Sequence, residues 1–232
     1  MKILIKSLIA CAIVAAWVNA NAQTVTVDPT KLTLGFMNVF NKPQDGGGYQ
    51  FGSGWGVGDL VSSFSGTTLT LAPNTINDGS SYWYTPAGGP GSIGNKTMDA
   101  NLYNETTGMY VGTTLTFTGV VLQNSLVGQV NQIGNGWTSV AFIKDFVSDY
   151  SSSVSVTAPL TAGTFSISLL TSADPGHHIQ FGFETIGPDV WATDVGPYGN
   201  ITIVPIPEPS TLAVMGLGLL GAWRCTRRNR AA

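Results

Sequence analysis

The feature that most constrains this chain is a two-residue alternation that returns along most of its length. Polar and apolar residues alternate at 67–71 (Thr-Thr-Leu-Thr-Leu), 113–121, 153–157, 164–169, 179–184 and 200–204, with a shorter trace at 32–34. Successive residues of a strand face opposite sides, so each run has one apolar face that must be covered by a second layer. Thr, Val, Ile and aromatic residues dominate the runs and suit a pleated, half-buried surface. Clusters of Gly, Asn, Asp, Pro and Ser at 44–48, 77–79, 88–91 and 174–176 punctuate them as turns. Many short strands at this spacing predict an all-β fold rather than βαβ units: a single jelly-roll-like β-sandwich over residues 23–204. Residues 73–110 read as loop-rich. Their one strand core is Tyr82-Trp83-Tyr84, with the two tyrosines on one face and Trp83 on the other. Residues 137–150 read as a strand followed by a bend.

The two ends have a different character. Lys2 and Lys6 precede an apolar stretch at 8–18, and Ala20-Asn21-Ala22 supplies small residues for signal peptidase. This predicts a signal peptide over 1–22, export through the Sec machinery and a mature chain beginning at Gln23. Leu8-Ile9-Ala10-Cys11 also looks like a lipoprotein box, but Cys11 sits early and the apolar stretch continues beyond it. At the other end, residues 205–209 form a Pro-rich linker, expected to be extended and to hold the body off the membrane. Residues 210–223 carry no charge and read as a short transmembrane helix, below the usual span of about 20 residues. Arg224, Arg227, Arg228 and Arg230 make a stop-transfer tail at 224–232, on the cytoplasmic side by the positive-inside rule.

With the ends set aside, residues 23–206 hold four lysines, twelve acids and no arginine, about −8 in net charge. Such a body is repelled by phosphate backbones, which excludes nucleic acid as a partner. Both cysteines, Cys11 and Cys225, lie in the ends, so the body has no disulfide and rests on its core alone.

Pro207-Glu208-Pro209-Ser210-Thr211, the Gly/Leu-rich apolar stretch and the four arginines occur in that order, and the tail resembles the PEP-CTERM sorting signal of Gram-negative bacteria. The resemblance implies exosortase, an integral-membrane cysteine transpeptidase, as partner. It also implies transient residence in the inner membrane, processing near the motif, and delivery to the cell surface or an exopolysaccharide matrix. The pattern Gly136-Trp137, residues 141–145 and 159–165, Gln180-Phe181-Gly182-Phe183 and Val190-Trp191 is similar to galactose-binding-type and carbohydrate-module sandwiches. That likeness implies a fold and transfers no sugar site.

The residues argue against catalysis. The body has no cysteine, its only histidines are His177 and His178, and Gly52-Ser53-Gly54 only approximates a nucleophile elbow. Glu105 and Glu184 are its only glutamates, and no closely spaced acidic motif suggests a glycosidase pair. Sugar binding asks for flat aromatic faces, and Trp55, Trp83 and Trp191 are the candidates, with Trp191 expected at the surface. Asp59, Asp189 and Asp194 are calcium candidates by residue type only, so a structural calcium is the one cofactor kept open; no other is expected.

Overall fold

The computed structural model describes residues 21–126 and 136–206. The signal segment through Ala20, the sorting residues Pro207 to Thr211, the apolar stretch 210–223 and the four arginines lie outside the described residues. Among those described, no helix is long and apolar enough to cross a membrane.

Among the described residues, thirteen strands build two sheets. In chain order they are β1 (Ala22–Thr26), β2 (Leu34–Asn41), β3 (Tyr49–Trp55), β4 (Ser62–Ser65), β5 (Thr68–Leu71), β6 (Tyr84–Thr85) and β7 (Ile93–Thr107). After these come β8 (Thr114–Asn124), β9 (Thr138–Phe146), β10 (Ser153–Pro159), β11 (Gly163–Leu170), β12 (His178–Val190) and β13 (Ile201–Val204). The smaller sheet has the order β1-β8-β13-β5-β4, with β11 also on β8; the larger runs β10-β9-β12-β7-β2-β3, with β6 on β7. All pairs are antiparallel except β1 with β8. The all-β sandwich expected from the alternation is what forms.

The alternation decides which face is covered. Leu115, Phe117 and Val121 of β8, Phe165 and Ile167 of β11, and Ile201 and Ile203 of β13 point inward from the smaller sheet. Met98 and Leu102 of β7, Ala141 and Ile143 of β9, and Ile179, Phe181 and Phe183 of β12 meet them from the larger. Phe117 is the hub: its ring centroid lies 5.3 Å from each of Phe165, Phe181 and Phe183. Gly119 makes room beside it, since a Cβ there would stand 2.7 Å from the Phe165 ring.

Two readings need correction. The region taken as loop contains β7, the longest strand, paired with both β12 and β2. Its inward Met98, Ala100 and Leu102 do alternate, but the intervening Asp99 and Asn101, and Asn104 after them, are residues typical of turns and hide the pattern. Tyr82-Trp83-Tyr84 is mostly a turn, because the Trp83 and Tyr84 N–H groups both bond the Ser80 carbonyl. Tyr84 is therefore buried while Tyr82 is exposed, so the two tyrosines share no face.

The first and last described strands meet on β8. Since β11 occupies one edge of β8, β1 at Thr114–Thr118 and β13 at Val120–Asn124 lie end to end along the other. Thr26 joins them, donating its hydroxyl to the Thr118 carbonyl at 3.0 Å and accepting the Ile206 N–H at 3.3 Å. Pro205 and Ile206 are half-buried, so the expected free spacer is shorter than the sequence implies.

One buried acid shapes the fold's pH response. Asp189 is 1 % exposed, and its Oδ1 accepts the Lys96 N–H at 2.9 Å. Burial pushes its carboxyl from the ordinary 3.8 up to about 7, opposed by the Lys96 bond and the Lys42 charge. Among the described residues its Oδ2 has no hydrogen-bond partner, and neither does Asn74 Oδ1.

Replacing Phe117 with Ala removes the hub from both sheets and is expected to cost about 3–5 kcal/mol, read as a lowered urea midpoint. The native Asp189 binds its proton more tightly than the unfolded chain does, so stability should fall as pH rises from about 4 to about 7 and level off above. Asp189→Asn keeps an acceptor for Lys96 and cannot ionise; urea midpoints across that range should lose this slope, and an unchanged slope contradicts the assignment.

Candidate functional site

The most built-up surface is the outer face of the seven-stranded sheet. Strand registers arrange its side chains in rows: Phe36, Asn101 and Glu184; then Tyr103, Gly182 and Phe142; then Glu105, Gln180 and Lys144; then Thr107, His178 and Phe146. Gly182 lets β12 and β7 approach closely, since a Cβ there would stand 2.1 Å from the Leu102 carbonyl oxygen. On this face lies a groove of about 520 Å³, lined by Phe36, Tyr103, Phe146 and Tyr150 and by the polar Asn38, Asn101, Glu105, Lys144 and Gln180. That volume is in the range of small-molecule sites, about 300–1,000 Å³.

The polar groups are ordered by one another. Asn38 Nδ2 donates to Asp99 Oδ2 at 3.0 Å, and Asn101 Nδ2 donates to Asp99 Oδ1 at 2.6 Å. Lys144 donates to Asn101 Oδ1 at 3.1 Å and pairs with Glu184 Oε2 at 3.0 Å, its ammonium 4.2 Å from the Phe142 ring centroid. Gln180 Nε2 donates to Glu105 Oε2 at 2.6 Å, and the Tyr150 hydroxyl donates to Glu105 Oε1 at 2.9 Å. Burial, then the Glu184 charge, holds the Asp99 carboxyl above its usual range. Burial and the bond to Glu105 push the Tyr150 phenol up to about 12.

Tyr150 enters the groove from the bend after β9, in a left-handed conformation with φ 59°. Its ring stacks on His178 with centroids 4.3 Å apart and planes 8° from parallel. His178 Nδ1 lies 2.7 Å from Thr107 Oγ1. The neighbouring His177 turns to the other face, where its Nδ1 lies 2.6 Å from Asp145 Oδ1. The two histidines therefore do not converge.

The tryptophans singled out in the sequence are not part of this groove. Trp83 is 8 % exposed and packs edge-on against Phe51, so it is a core residue and offers no open face. Trp55 is half-buried on β3, its Nε1 donating to Ser53 Oγ at 2.8 Å, which also places Ser53 in a strand instead of an elbow. Trp191 is half-buried too, set edge-on to Tyr84 with centroids 5.1 Å apart and close over Gly88. Its expected surface position holds only in part, because glycines at 79 and 88 let the ring settle onto the body.

The calcium candidates occupy separate roles. Asp59 is exposed in a short 3-10 turn (Val57–Leu60), and its carbonyl accepts the Asn74 amide at 3.0 Å. Asp194 Oδ2 accepts the Gly91 N–H at 2.7 Å. Asp189 is the buried acid described above. Among the described residues no three His, Cys, Asp or Glu gather as a metal-holding group.

Glu105 and Glu184, read in the sequence only as too few for catalysis, are what sequence reasoning missed. The available signal was the polar set at alternate positions 99, 101, 103, 105 and again at 178, 180, 184. An uncharged outer face would have sufficed for a structural strand.

The family model of the PEP-CTERM protein-sorting motif matches residues 205–228. No curated protein and no solved structure is similar enough to match the chain. The matched motif begins at the residue after β13. It is a non-catalytic sorting signal, and it identifies the chain as an exosortase substrate sorted for export.

Proposed function

We propose that this protein is an exported cell-surface or extracellular-matrix component, with a structural or interaction role in an exopolysaccharide. The observation that carries the reading is the sorting motif at 205–228, set directly behind the last strand of a folded body. The signal peptide is removed between Ala22 and Gln23, at the start of β1. Residues 210–223 and the basic tail hold the chain in the inner membrane. Exosortase engages Pro207, Glu208 and Pro209, cleaves nearby and passes the sandwich outward. These three residues serve recognition, while the catalyst belongs to the partner.

A second reading is that the body is itself a carbohydrate-binding module. The groove favours it, with aromatic rings and fixed polar groups on one sheet face. The tryptophans support it less, since two are half-buried and Trp83 is core.

Glu208→Ala leaves the described body untouched and should block processing. Immunoblots of membrane and medium fractions should show a full-length precursor building up in membranes, with release to the medium reduced at least about tenfold, the scale of one lost charge-assisted contact. Normal release of the variant would overturn the sorting assignment.

A further inference from the structure

We infer that the groove on the seven-stranded sheet selects an uncharged glycan, which it reads through amide carbonyls and phenols while its charges stay internally paired. This rests on the carbohydrate-binding reading and says which glycans satisfy it.

Each charged residue lining the groove already has partners: Lys144 has Glu184 and Asn101, and Glu105 has Gln180 and Tyr150. A polyuronate entering here meets no uncommitted ammonium, and it must approach Asp99, Glu105 and Glu184 on a body of about −8. A polyglucosamine meets no uncommitted carboxylate, and it stands beside Lys144. Apart from the third N–H of Lys144, whose charge Glu184 balances, what is left over is neutral. Asn38 and Gln180 give their NH₂ groups to Asp99 and Glu105, and this fixes which end of each amide is free. Asn38 Oδ1 and Gln180 Oε1 remain as acceptors, and among the described residues the Tyr103 hydroxyl has no partner. Two amide carbonyls and a phenol match the hydroxyl groups of a sugar. Phe36, Tyr103 and Tyr150 supply the apolar faces on which a pyranose ring lies. Asp99 and Glu105 are positioning residues that hold the amides.

The test uses the full chain in detergent micelles. The probes are immobilised neutral hexasaccharides (glucose, galactose and mannose series), with uronate and glucosamine hexamers as charged comparators. At least one neutral hexamer should be retained above both charged ones, with equal affinity at low and high salt, because no ion pair forms. Tyr103→Phe keeps the ring, and Gln180→Leu removes one acceptor together with the amide that Glu105 holds. With unchanged thermal midpoints, each should weaken that retention by several-fold to about tenfold, the worth of one neutral hydrogen bond. Preferential retention of a charged hexamer, weakened by salt, overturns the neutral selection while leaving the carbohydrate reading in place. Neutral binding that both variants keep in full overturns the groove as its site. No retention of any hexamer overturns the carbohydrate reading and this inference with it.

Discussion

The packing of Phe117 against Phe165, Phe181 and Phe183 is the interaction on which the rest of the molecule depends. The body has no disulfide, and apolar contact is the main join between the two sheets. Phe117 comes from the centre of the smaller sheet and two of its partners from the centre of the larger, which makes the cluster the point where both layers are fixed. Strand β12 carries Phe181 and Phe183 inward, and the same backbone carries Gln180 and Glu184 outward. The core thereby sets the position of the groove on its far side.

That coupling explains why a groove on an open sheet face can be well ordered. Four strands contribute to it, and each is anchored beneath by buried residues: Met37 on β2, Leu102 on β7, Ile143 on β9 and Phe181 on β12. Above them the polar groups fix one another, with carboxylates holding amides and a lysine held between Glu184 and Asn101. Pre-organised groups lose little freedom when a ligand arrives. The smaller sheet meanwhile holds the first and last described strands, and Thr26 ties β1 to β8 and to Ile206.

The sandwich was legible in the sequence because residues such as those of β8 and β11 alternate cleanly and are rich in Thr, Val, Ile and Phe. The sorting signal was legible for a different reason, since charge, proline and apolar length follow one another in a fixed order. Strand β7 was not legible. Asn95, Asp99, Asn101 and Asn104 have low strand propensity, and two flanking strands override it. The groove was hidden for a related reason, because Phe36, Tyr103, Lys144 and Gln180 are brought together only by the register of four strands. Tryptophan drew attention as the natural sugar platform, yet in a small sandwich a ring of that size is also needed as filling, and Trp83 serves there.

In the proposed function the folded body leaves the cell after its tail is recognised and cut. Mass spectrometry of the C-terminus of the protein recovered from the medium and from membranes tests it most directly. Protein from the medium is expected to end close to Pro209, within the matched motif and just beyond the last described strand, with any added mass identifying the acceptor. An intact C-terminus ending at Ala232, found only in membranes, would contradict it and make the protein a tail-anchored one.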